Sequence, residues 1–108
     1  MTHTILTGPD PHDLRTALEA AGDDVVSIDG IVSDNALKEA DVTGAARLVL
    51  TDPTEATAIP LARDHVPDLT VAVYAAESVP PFASHLADLV IDPAAIDVEM
   101  FVEELLDR

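Results

Sequence analysis

"ARLVLTDPTEATAIPLAR" (residues 46–63) begins as an apolar run, turns at Thr51-Asp52-Pro53, and then changes period. Its opening, "ARLVLTD" (46–52), is too continuously apolar to alternate between a wet and a dry face. It reads as a strand covered on both sides, the situation of a parallel strand between two helical layers. The following "TEATAIPLARDHV" (54–66) spaces its apolar residues as a helix does, and Pro60 predicts a kink or a frayed first turn. A strand, a tight turn and a helix make half of a βαβ unit.

The same half-unit recurs in both directions. Upstream, "HTILTG" (3–8) is a buried strand, followed by "PHDLRTALEAAG" (11–22), whose Leu14, Ala17, Leu18 and Ala21 share one helical face. Asp10 suits the cap of that helix, Pro11 its first position and Gly22 its end. "DVVSID" (24–29) is a second strand and "SDNALKEAD" (33–41) a short helix. Downstream, "LTVAVYA" (69–75) is a fourth strand, "VPPFASHLA" (79–87) supports one or two helical turns, and "DLVID" (88–92) is a fifth strand. The end, "AIDVEMFVEELLDR" (95–108), is an amphipathic helix with Ile96, Met100, Phe101 and Leu105 opposing Asp97, Glu99, Glu103 and Glu104. Five strands alternating with helices imply right-handed crossovers and a parallel sheet with helices on both faces. The expected fold is therefore α/β: a three-layer, Rossmann-like, five-stranded parallel sheet with strand order 3-2-1-4-5, in one domain over residues 1–108. We find no internal repeat, linker or low-complexity segment.

With 108 residues and 48% hydrophobic content, the chain can bury one core. No stretch approaches the roughly 18 apolar residues of a membrane span, and "MTHTILTGPD" lacks the layout of a secretion signal. Cysteine is absent, which rules out disulfides and thiolate chemistry. These features set the expectation of a cytoplasmic protein without membrane insertion. Twenty-one acids against five Lys and Arg give a formal charge of −16, and Lys38 is the only lysine. The acids are spread between regular apolar positions, whereas a disordered acidic tail would hold them in a block. An acid-coated, lysine-poor globule looks like a protein of a salt-loving archaeon, where salt screens the self-repulsion. A basic protein partner is the competing explanation. No Lys/Arg cluster exists to neutralise phosphates, so nucleic acid is not an expected partner.

In a sheet of this kind, ligands bind beyond the carboxyl ends of the strands, where the order reverses. The residues there are "GPDPHD" (8–13), "DG" (29–30), "TDPTEAT" (51–57) and "AAES" (75–78). The arrangement resembles the TrkA-N or RCK family, the nucleotide-binding regulatory domain of potassium channels and transporters. "DDVVSIDG" places Asp29 where that family keeps an acid for ribose hydroxyls. "ARLVLTDPTEATAIPLAR" matches its third strand, Thr-Asp turn and helix. "ADLVIDPAAIDVEMFVEELL" (87–106) looks like its last strand, proline turn and final helix. The resemblance implies a Rossmann-like regulatory domain that pairs as a homodimer, with Gly8, Asp29 and Asp52 as the candidate cofactor-binding residues and NAD or ATP as the nucleotide.

The opening turn departs from that pattern. A dinucleotide fingerprint needs G-x-G-x-x-G, and this chain reads Gly8-Pro9-Asp10-Pro11-His12-Asp13. Asp10 and Asp13 stand at the second and third glycines, and Pro9 and Pro11 remove two backbone donors. The expectation is that no cofactor is held here. Asp29 has a plain alternative as a strand-end turn with Gly30. Asp52 or Thr54 has one as the cap of the next helix, with Glu55 near its positive end.

Other chemistries find less support. A receiver-like domain would need an acidic pair after strand one, a phospho-accepting Asp after strand three, and a Lys after strand five. Asp52 fits the acceptor position, but Thr7-Gly8 and Asp92 stand at the other two. His3, His12, His65 and His85 are scattered over separate elements without metal-ligand spacing, and surface or helix-end roles are expected. Ser27, Ser33, Ser78 and Ser84 lack a nucleophile elbow. The reading is a non-catalytic regulatory or interaction module with a decayed nucleotide loop, tied to ion transport through another chain. The alternative is a small-molecule or adenine-nucleotide sensor using Gly8, Asp29 and Asp52. A receiver-like domain or a small enzyme comes after both.

Overall fold

The computed structural model describes residues 3–28, 32–76 and 79–107. The elements follow in the order β1 (His3–Thr7), α1 (Leu14–Ala20), β2 (Val25–Ile28), α2 (Asp34–Glu39), β3 (Ala45–Leu50), α3 (Ala58–His65), β4 (Thr70–Tyr74), α4 (Pro81–Leu86), β5 (Leu89–Ile91) and α5 (Val98–Leu106). Short 3-10 turns, Val42–Gly44 and Pro53–Glu55, precede and follow β3. All four strand pairings are parallel, with Ile5 beside Val26 and Leu48, Leu48 beside Val71, and Val73 beside Val90. The five-stranded parallel α/β sheet is as the sequence predicts.

The strand order is 2-1-3-4-5, not 3-2-1-4-5. Burial explains the difference. Leu48, Val49 and Leu50 of β3 are inaccessible to solvent and need neighbours on both sides, which a place between β1 and β4 supplies. In β2 only Val25 and Ile28 are buried, while Val26 and Ser27 face water, so β2 forms an edge. The order therefore reverses between β1 and β3, and the crevice lies between their carboxyl ends.

Alternate residues feed two cores, as a pleated strand requires. Leu6, Val49 and Ala72 pack beneath α1 and α5 with Leu14, Leu18, Phe101 and Leu105. Ile5, Leu48, Leu50 and Val71 pack beneath α2, α3 and α4 with Leu37, Ile59, Ala62 and Ala83. Local chemistry fixes the helix ends. Ser33 Oγ accepts from the Ala36 amide at 3.1 Å and starts α2. Asp97 Oδ1 accepts from the Met100 amide at 3.0 Å and starts α5. Gly22, at φ 93°, ends α1, and the Asp23 amide reaches back to the Leu18 carbonyl. Pro60 falls in the first turn of α3, where its missing N–H removes no helical bond.

The amino ends of the strands are tied by polar contacts. Arg47 lies 3.6 Å from Asp23 in a largely buried ion pair, and the Thr4 hydroxyl donates to the same carboxylate. His3 is buried, and its Nε2–H donates to the Ala40 carbonyl at 2.9 Å, closing the end of α2. The expected helix-end role holds for this histidine, but in the interior. No helix among the described residues is long and apolar enough to cross a membrane.

Candidate functional site

At the carboxyl end of β1 the chain must turn sharply to reach α1. Gly8 sits at φ 92°, and a Cβ there would lie 2.5 Å from Thr51 Oγ1 and 3.2 Å from the Asp52 amide. Only glycine meets both demands. The close approach arises because Thr51 laces the two loops together. Its amide donates to the Thr7 carbonyl at 3.1 Å, and its hydroxyl lies against the carbonyls of Thr7 and Pro9. The Thr7 hydroxyl beneath is fully buried and has no partner among the described residues.

Asp10 folds its carboxylate onto the start of α1. The Leu14 amide donates to Oδ1 at 2.6 Å and the Arg15 amide to Oδ2 at 2.9 Å. These free amides, at the positive end of a helix, are the groups with which a Rossmann turn holds a phosphate. Here both amides are taken by the chain's own carboxylate, in the capping role the sequence foresaw for Asp10. Asp13 adopts the left-handed conformation, φ 55° and ψ 41°, which aspartate tolerates better than most residues and glycine adopts freely. The helix consequently begins at Leu14, not at Pro11.

Asp52 is committed to its own turn. Its Oδ1 accepts from the Thr54 amide at 3.0 Å and the Thr54 hydroxyl at 2.8 Å, capping Pro53–Glu55. Glu55 turns toward the loop after β2, where its Oε2 accepts from the Val32 amide at 3.3 Å. At the end of β5, Asp92 Oδ1 accepts from the Ala94 amide at 2.9 Å. Gly8 and Asp52 are thus neighbours at the β1/β3 crevice. Asp29, with Gly30, lies outside the described residues. The Thr51 bridge was not foreseen, because it joins residues 44 positions apart and leaves no local pattern.

The histidines serve separate ends of the fold. His12 stands edge-on to Tyr74 with ring centroids 5.8 Å apart, and Tyr74 stacks on Phe101 at 4.4 Å. The Tyr74 hydroxyl donates to the Ile96 carbonyl at 3.0 Å. Burial, with Asp97, Glu99 and Asp92 adding to it, pushes the phenol above its usual range. His65, at the end of α3, lies 2.6 Å from Asp34 at the start of α2. Hydrogen bonds from His65 and Lys38 hold the Asp34 carboxyl below the usual range. Among the described residues no group of three metal-ligating side chains forms.

Fold and site together define a small Rossmann-like domain of the flavodoxin-like order, self-capped by Asp10 at the turn into α1. Residues 4–105 match DUF7126, a family of unknown function, and the chain belongs to that family. No curated protein matches it. Among solved structures, an orphan response regulator of H. pylori superposes with a TM-score of 0.71 at 11% identity, covering 97% of this chain and 94% of that one. A protein from Burkholderia pseudomallei, described as pilus assembly-related, superposes with a TM-score of 0.67 at 14% identity, covering 99% and 88%. At such identities the likeness is one of fold.

Proposed function

We propose that the chain is a non-catalytic regulatory or interaction module on a receiver-like frame, whose nucleotide place is filled by its own Asp10. The observation that carries this reading is the pair of hydrogen bonds from the Leu14 and Arg15 amides to that carboxylate. A dinucleotide pyrophosphate does not fit the residues present. It would meet a fixed negative charge at the amides it needs, and Pro9 and Pro11 offer none in compensation. Fold does not carry function with it, and the phosphoryl chemistry of a receiver would ask for groups that differ here. Asp52 caps its own turn, and an aspartate, Asp92, stands where a lysine would balance phosphoryl charge. The resemblance to TrkA-N domains points the regulatory role toward an ion-transport protein supplied by another chain.

The test is thermal unfolding in molar KCl against NAD(H), ATP, ADP, AMP and cyclic dinucleotides, on the native chain and on Asp10→Gly. The expected outcome is no shift for the native chain and a dose-dependent rise for Asp10→Gly, where the amides are released. A rise in the native chain that disappears in Asp29→Ala would replace this reading with a sensor that uses Gly8, Asp29 and Asp52.

A further inference from the structure

Between α1 and α5 the surface opens into a channel. The two helices pack side by side on one face of the sheet. Two adjoining hollows, of about 570 and 580 Å³, follow their seam and share Ala21, Val102 and Glu103. On the α1 side the lining is Ala17, Ala20 and Ala21, side chains too short to fill the space. On the α5 side, Val98, Val102 and Leu106 repeat every four residues and form one apolar ladder. Glu99, Glu103 and Asp107 repeat in the same way one residue further on, so an acidic ladder runs beside the apolar one. Asp13, at the start of α1, and Glu104 complete an acidic rim.

The rim carboxylates differ from many others on this chain. Elsewhere Asp97 caps a helix, Asp23 meets Arg47, Asp34 meets Lys38 and Asp88 meets Arg63. None of the five around the channel forms an ion pair or a side-chain hydrogen bond among the described residues. Arg15, the one cation of α1, turns away to Glu19 and Ser27, and α5 carries no cation. The placement also works against the helices. Like charges stand one turn apart along α5. α1 and α5 finish side by side, at Ala21 and Leu106, with no basic residue in the last turn of either. The negative ends of two helix dipoles therefore add to Glu103, Glu104 and Asp107. An acid coat turned to solvent needs no apolar channel among its carboxylates, and a second copy of net charge −16 would be repelled from it. The chemistry that fits is apolar along one line and cationic along the next.

We propose that the α1–α5 channel docks a basic amphipathic helix of a partner protein. Its apolar stripe would lie on Ala20, Val98 and Val102, and Arg or Lys side chains at its flank would meet Glu99, Glu103 and Asp107. Neither wall offers a free sheet edge, so an extended segment would find no backbone to pair with, whereas a helix satisfies its own amides. The nine residues of α5 give the partner a track of about 13 Å. This inference rests on the reading of the chain as an interaction module and names the chemistry of its partner.

Fluorescence anisotropy of a labelled peptide tests it on the full chain, at the lowest KCl concentration at which circular dichroism shows the chain and each variant folded. The probe is an amphipathic helical peptide with Leu on one face and Lys and Arg beside it. It should bind saturably, one per chain, and bind more weakly as KCl rises. The same residues shuffled to remove the apolar face should bind at least about tenfold more weakly. Glu99→Gln combined with Glu103→Gln should also weaken binding about tenfold. So should Ala20→Gln, which carries bulk but no charge into the channel. Asp64→Asn combined with Asp68→Asn removes the same charge from exposed positions on the opposite face of the sheet and should leave binding unchanged. Equal losses in the two double variants, or equal binding of the shuffled peptide, would mean attraction to the acid coat as a whole and would overturn the proposal. Spermine that displaces the probe as well as unlabelled peptide does would overturn it too, and make the channel a site for small polycations. A native chain that does not bind the peptide overturns the docking surface alone, because the nucleotide assay on Asp10→Gly reads the module separately.

Discussion

Asp10 caps α1 with both carboxylate oxygens, and in the function proposed above the same contacts shut out a phosphate. Removing the carboxylate in Asp10→Ala should lower stability by about 0.5–2 kcal/mol, the usual value of a lost helix cap, read as a drop in melting temperature in molar KCl. Asp10→Asn keeps an oxygen for one amide and should lose less. Gly8→Ala should cost about 1–3 kcal/mol from backbone strain, with further loss because the new methyl meets Thr51 Oγ1. Asp34 sets an acid limit. Its folded-state pKa lies below the usual value of 3.8, so its stabilising contribution is complete above that value. The contribution is lost as pH falls through the lower folded value. Urea unfolding of Asp34→Asn should therefore show a shallower loss of stability below about pH 4 than the native chain. At this scale the sequence was legible wherever the partner is near in the chain, as with Asp10 and α1 or Asp52 and Thr54. It was silent where partners are remote, as with Thr51 on the β1 loop or His3 on Ala40.

The elements were read almost completely, because period and punctuation are local. "ARLVL" announces a doubly covered strand and Ser33 marks a helix start within its own turn, whereas the last helix begins at Val98 with Asp97 as its cap, and not at Ala95. Strand order is a property of pairs, and no local pattern encodes it. The signal that could have corrected it was Ser27 in the middle of β2, a polar residue that suits an edge strand and not an interior one. Tyr74 and Phe101 show how α5 is locked to β4. Phe101→Ala should destabilise by about 3–5 kcal/mol, the range for a buried phenylalanine. Because Tyr74 is the only tyrosine, phenolate absorbance reports it alone. Its midpoint in the folded chain should lie above the model-compound value of 10.0 and return toward it in urea. A folded pKa raised in this way means that stability is fully present below about pH 10 and declines as pH rises through the folded value.

For the whole molecule, charge sets the conditions under which everything else is observed. Five basic side chains cannot balance 21 acids. Of the ion pairs formed, Arg15–Glu19 and Lys38–Asp34 are exposed helical pairs of small value. Arg63–Asp88 is partly exposed, and Arg47–Asp23 is the most buried of the Arg and Lys pairs. Removing its cation in Arg47→Met strands Asp23 and should cost about 3–5 kcal/mol. The urea midpoint of the native chain should rise steadily from dilute to molar KCl as self-repulsion is screened. A midpoint insensitive to salt would mean that the acids are placed without mutual strain.

The turn at residues 8–13 also fixes how far this chain stands from the glycine pattern of a dinucleotide turn in mutational steps. Aspartate and glycine codons differ by a single base, so Asp10 and Asp13 each lie one transition from the glycine a G-x-G-x-x-G turn would hold. The first step releases the Leu14 and Arg15 amides. The second replaces a residue already at φ 55°, a conformation glycine adopts freely. Selection on a library of point mutants could therefore reach the full fingerprint through two independent base changes, with the frame of the sheet untouched.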